Sequence, residues 1–110
     1  MFLGNPEFSV TNKIKRIPFE VSATYSNSSC NEVKEVGGAP SAPAKFPNTK
    51  DCGPEVSVTA TEIVPFGPPF ISCQLNSTIP MILNNLYIRP DYKGPFFGCI
   101  ITKYNFDRYD

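Results

Sequence analysis

The residues with the clearest chemistry are Cys30, Cys52, Cys73 and Cys99. They are an even set, about twenty or more residues apart, in a chain of 110 residues. That usage favours two disulfides and an oxidising compartment over four buried free thiols. Three connectivities can be drawn. Cys30 with Cys52 and Cys73 with Cys99 is the expected one, because it pairs loop ends with each other and strand cysteines with each other. Zinc is disfavoured, since no C-x-x-C pair seeds a site. Neither a metal nor any other cofactor is expected.

The chain has no histidine. Ser-His and Cys-His nucleophilic pairs, and acid–base work by imidazole, are therefore closed to it. Gly37-Gly38 lacks the following Lys-Ser/Thr of a phosphate loop. A carboxylate hydrolase would need two of Glu20, Glu55, Glu62, Asp91 and Asp107 to converge, and nothing in their spacing selects a pair. Asn27-Ser28-Ser29 and Asn76-Ser77-Thr78 fit the N-glycosylation sequon, so Asn27 and Asn76 are candidate glycan acceptors.

Two further groups bear on binding. Lys13, Lys15 and Arg16 form a small basic cluster that, with Tyr25 or Tyr92 beside it, would suit phosphates or bases. The commoner role of such lysines is to block edge-to-edge pairing of a strand. Net charge is zero, with 10 basic and 10 acidic residues, which disfavours nucleic acid as a partner. Phe66, Phe70, Phe96 and Phe97 would form either a binding patch or part of an aromatic core. Phe66 sits inside a proline turn that belongs at the surface, so Phe66 and Tyr92 are the candidate partner-binding residues.

These residues must be held by β-strands. The stretch Pro54 to Leu75 organises the chain. Val56, Val58 and Ala60 alternate with Ser57, Thr59 and Thr61, the period of a half-buried strand. Pro65, Gly67, Pro68 and Pro69 stop it, and an apolar run from Phe70 to Leu75 follows. The alternation fails at Glu62-Ile63, where a bulge would relieve the slip. A second alternating run, Ile17 to Tyr25, is a strand with Pro18 at its beginning or at a sheet edge. Asn31 to Asp51 reads as loop, with a short helical turn at Asn31 to Val36. Ile79 to Ile88 fits neither period; Asn84-Asn85 suits a hairpin turn or bulge, and a short helix competes. Arg89 to Pro95 reads as loop. Phe96 to Tyr104, apolar on both faces, reads as a central strand.

The expected fold is mostly β: a small disulfide-braced sandwich or twisted antiparallel sheet with long Pro-rich loops and at most one short helix. Residues 1–12 are expected to be an exposed arm or a linker left by a cleaved fusion partner, and residues 13–110 a single β-rich domain. No apolar run is long enough for a membrane span. The first residues lack the pattern of a secretory leader, so a secreted protein here implies a leader absent from this sequence.

From Ile79 the chain reads IPMILNNLYIRPDYKGPFFGCIITKYN. This resembles the later part of small fungal secreted ribonucleases and their inactive effector relatives, where a proline-led strand, a Tyr-x-Gly turn and an apolar strand follow one another. The match covers about the last third of the chain, through short motifs. Active members of that family use Glu, Arg and His. Without His, the resemblance implies a catalytically inactive relative.

The function expected from these residues is that of a secreted, non-enzymatic interaction protein, effector-like or a surface-recognition module, with a protein or glycan partner. The alternatives are a structural subunit of a larger assembly, such as a capsid or appendage component, and the inactive ribonuclease relative.

Overall fold

In the computed structural model, residues 6–79 and 84–103 are described. They form a sandwich of two four-stranded sheets. The strands are β1 (Glu7–Asn12), β2 (Phe19–Tyr25), β3 (Glu32–Val36), β4 (Ala44–Pro47), β5 (Glu55–Glu62), β6 (Ser72–Thr78), β7 (Asn85–Lys93) and β8 (Phe96–Thr102). One sheet has the order β4-β1-β7-β8, the other β3-β2-β5-β6. Neighbours are antiparallel except β1 and β7, which run parallel. The only helical pieces among the described residues are single 3-10 turns at Ser28–Cys30 and Lys50–Cys52.

Side-chain alternation builds the core. Val21, Ala23 and Tyr25 of β2 meet Ala60, Val58 and Val56 of β5 across the ladder, and all are buried. Their alternates, Ser22, Thr24, Ser57 and Thr59, lie on the outer face. Opposite them, Phe8 and Val10 of β1, Phe46 of β4, and Leu86 and Ile88 of β7 fill the other half. Phe8 and Phe46 stack at 5.4 Å between ring centroids.

The two open sides of the sandwich are closed differently. On the β3–β4 side, Lys34 lies over the Phe46 ring and donates to the Lys45 carbonyl. On the other side, Cys73 of β6 is bonded to Cys99 of β8, joining the end strands of opposite sheets. The second disulfide, Cys30–Cys52, ties the two 3-10 turns to each other. The expected pairing is the observed one.

Several local expectations are corrected. Residues 7–12 are not an exposed arm: Glu7–Asn12 is an interior strand, and Phe8, Val10 and Asn12 are buried. Glu32–Val36 is a strand, not a helical turn, because it finds β2 as a partner. Ala44–Pro47 likewise pairs with β1. No bulge is needed at Glu62-Ile63, since β5 ends at Glu62. The segment from Arg89 is not loop; β7 runs on to Lys93 through Pro90. β1 pairs with β7 only as far as Ile88, so Pro90 lies where only β8 is a neighbour and a missing N–H is tolerated. β8 is an end strand, not a central one. Its core-facing side carries Phe97, Cys99 and Ile101, and its other side is open, with Ile100 exposed. The hairpin, bulge or helix expected within Ile79 to Ile88 falls largely on residues 80–83, outside the described residues; β7 begins at Asn85, directly after Asn84, whose φ is 54°.

Candidate functional site

Strand direction sorts the connections into two groups. Residues 13–18, 37–43, 63–71 and 94–95, which join each odd-numbered strand to the next, all lie at one end. The hydrogen bonds agree. Ala39 N–H donates to Ile14 O at 2.9 Å, and Ile63 N–H donates to Pro18 O at 3.0 Å. At the far end lie the remaining connections and the Cys30–Cys52 tie, where Asn27 N–H donates to Cys52 O.

At the near end, the 13–18 and 37–43 segments form one wall. Lys15 and Ala39 make an isolated parallel bridge. Arg16 adopts a φ of 66°, which turns the chain sharply there. Gly38 permits the contact: a Cβ on it would sit 2.6 Å from the Arg16 backbone nitrogen. Asn12 fixes the base. Its side chain is buried, its Nδ2 donates to Ile17 O at 2.7 Å and Gly37 O at 2.9 Å, and its Oδ1 accepts from Ile14 N–H. Both of its donors and its oxygen are engaged, which fastens the 13–18 and 37–43 segments to the end of β1.

Between this wall and β7 runs an open groove of about 990 Å³. Thr11, Lys13, Lys15, Pro40, Arg89 and Tyr92 are among its lining residues, with Asp91 beside them. Tyr92 is 71% exposed and packs one side of its ring against Phe97 across the β7–β8 ladder, at 5.1 Å between centroids. Lys15 is exposed and Lys13 half-buried. The basic cluster thus belongs to a connection rather than to a strand, and its Lys13 and Lys15 share the groove with Tyr92. Tyr25, the other aromatic considered for it, is buried in the core at the opposite end of β2.

The same end carries an apolar projection. In the 63–71 connection, Phe66 is 89% and Phe70 91% exposed. Pro65, Pro68 and Pro69 restrict that loop, and Gly67 takes a φ of 78°. Glu62 Oε1 accepts from Phe70 N–H at 3.1 Å, and Ile71 is buried, so the loop is anchored where it returns. Phe66 is at the surface as expected. The apolar run from Phe70 to Leu75 suggests a strand starting at Phe70, but Phe70 lies in the loop and β6 begins two residues later.

The remaining marked residues lie elsewhere. Asn27 caps the first 3-10 turn at the far end: its Oδ1 accepts from Ser29 N–H and its Nδ2 donates to Asp51 O. Asn76 is exposed on β6, in a shallow hollow of about 580 Å³ lined also by Thr24, Ser57 and Gln74. Both sequons therefore sit away from the groove. Of the carboxylates, Glu55 begins β5 at the far end while Glu62 ends it at the near end, and Asp107 lies outside the described residues. Among the described residues, no group of three or more Cys, Asp or Glu could hold a metal ion.

Arg89 and Asn12 were not among the residues marked from the sequence. The first lay in an expected loop and the second in an expected arm. The alternation of Phe8 and Val10 with Glu7, Ser9 and Thr11 was the signal that would have recovered Asn12. Comparison with protein-family models, with curated proteins and with solved structures found no match.

Proposed function

We propose that this is a secreted, non-enzymatic interaction protein that engages a protein or glycan partner through its near end. The observation that carries the reading is the exposure of Phe66 and Phe70 on an anchored, proline-restricted loop. A chain that buries Phe8, Phe19 and Phe46 completely has no packing reason to hold two rings in water. Restricted loops lose less freedom on binding than floppy ones, which favours recognition. Aromatic residues presented this way are the kind that anchor interfaces. Two disulfides, and the lack of any helix long and apolar enough to cross a membrane among the described residues, are compatible with an extracellular location.

The test is binding of the wild type and the Phe66→Ser/Phe70→Ser variant to a panel of secreted proteins, cell-surface proteins and glycans. The wild type is expected to give at least one saturable partner, weakened tenfold or more by the variant. Binding to nothing on the panel, or equal binding by the variant, would overturn the assignment. Incubation with RNA and with glycans is expected to give no product, and turnover would return the hydrolase reading. Sizing separates the assembly-subunit alternative: a stable monomer favours the interaction protein.

A further inference from the structure

We infer that the groove between the 13–18 segment and β7 is a binding site for an acidic saccharide, with a sugar ring on Tyr92 and its sulfate or carboxylate on Lys13 and Lys15. This deepens the functional reading above and rests on it only for the choice of the near end.

Three observations carry the inference. The groove volume of about 990 Å³ lies within the range of small-ligand sites. Its chemistry is divided. Tyr92 offers a largely exposed ring, held in orientation by Phe97, whose electron-rich face suits the C–H face of a pyranose. Lys13 and Lys15 line the same groove and make no ion pair among the described residues. Arg89 and Asp91 also line the groove and each has an interaction partner, so the anion is assigned to the two lysines. A lysine ammonium binds a sulfate or carboxylate as a point charge. Finally, the wall that carries the lysines is fixed by Asn12 and by the close approach at Gly38, so the site is formed before the ligand arrives.

A nucleic acid fits less well. Its backbone needs a basic track over several phosphates, and this chain balances 10 cations with 10 anions. Here two lysines and one aromatic ring line the same groove, the complement of one charged sugar and its neighbours. Both candidate glycosylation sites lie away from the groove, so a glycan on either leaves the approach open.

The test is a titration of the full chain, followed by amide NMR shifts and calorimetry, with a sulfated tetrasaccharide and a uronate tetrasaccharide. The matched neutral tetrasaccharide, a single-stranded oligonucleotide, a poly-glutamate peptide and inorganic sulfate are the comparators. Saturable binding of at least one acidic saccharide is expected, with shifts at Lys13, Lys15 and Tyr92, and with affinity falling as salt is raised. Lys13→Ala/Lys15→Ala and Tyr92→Ala should each weaken it tenfold or more. All three side chains lie at the surface or half-buried, and circular dichroism checks that the variants keep the fold. Val33→Ser, at an exposed residue of β3 outside the groove, should leave saccharide binding unchanged, while Phe66→Ser/Phe70→Ser is tested against protein partners alone, so loss of a protein partner and loss of saccharide binding are read separately. No saturable binding of either acidic saccharide would overturn the inference. So would equal binding by the neutral sugar, the oligonucleotide, the peptide or sulfate alone.

Discussion

Tyr25 of β2 donates its hydroxyl to the backbone carbonyl of Pro47 on β4, 2.6 Å away, and so joins the two sheets near the disulfide-tied end. The ring is buried in the core. Burial, and secondly the Glu32 carboxylate, push the ionisation of this phenol well above its ordinary value of 10.0. Tyr25→Phe removes the bond and leaves the Pro47 carbonyl without that donor. Denaturant melts at neutral pH should show a loss of about 1–2 kcal/mol.

The same phenol sets an alkaline limit. The folded state holds the proton more tightly than the unfolded chain, so its contribution is complete below pH 10, the unfolded value. It declines as pH rises from there towards the higher folded value. Melting of the wild type is expected to weaken above about pH 10. Tyr25→Phe should show a shallower decline over the same window. Identical alkaline profiles for the two proteins would remove Tyr25 as the cause.

Asn12 holds three backbone groups with one buried amide. Asn12→Ala would leave two carbonyls and one N–H without their partner at the base of the groove. A destabilisation of about 3 kcal/mol is expected from chemical denaturation. Asn12→Asp should be worse at neutral pH than in acid, because a carboxylate would face the carbonyls of Ile17 and Gly37. A variant as stable as wild type would mean that water replaces the amide.

The two disulfides should contribute unequally to function while contributing similarly to stability. Their sequence separations are 22 and 26 residues, for which the chain-entropy model gives about 3 kcal/mol each. Cys30→Ser/Cys52→Ser unties the far end and should spare partner binding at temperatures where the chain stays folded. Cys73→Ser/Cys99→Ser releases β6 from β8, the strands that continue from the Phe66 loop and the Tyr92 hairpin, and should weaken binding as well. Equal binding by both variants would show that the inter-sheet bond does not position the near end.

Phe66→Ser and Phe70→Ser should change stability by no more than about 0.5 kcal/mol, as expected of exposed side chains. The expected gain is in solubility. A clear loss in melting temperature would show that the rings pack on something in solution.

Period-two alternation made β2 and β5 legible, because each has one face in the core and one in water. The disulfide pairing was legible for a related reason: cysteines that end a loop, and cysteines on strands, have few geometrically sensible partners. What stayed hidden was pairing over distance. Glu32–Val36 carries few large apolar residues and becomes a strand only because β2 lies beside it. Pro90 read as a loop residue because a proline's tolerance depends on how far the neighbouring strand extends, which local sequence does not record. β8 looked central because both its faces are apolar, yet the one that carries Ile100 is left open to solvent. The groove was half legible. Its lysines and Tyr92 were marked separately, about eighty residues apart in the chain, and only the parallel pairing of β1 with β7 brings their segments together.

The sorting of connections between the two ends also governs how the molecule can be held and altered. Glu7 and Thr102, the first and last strand residues among those described, both lie at the end opposite the groove and the Phe66 loop. A tether attached beyond either would point Phe66, Phe70 and Tyr92 outward. The 63–71 connection, held mainly where it leaves and returns, is the one to lengthen or exchange, while the two ladders and their sulfur cross-links serve as an unchanging frame.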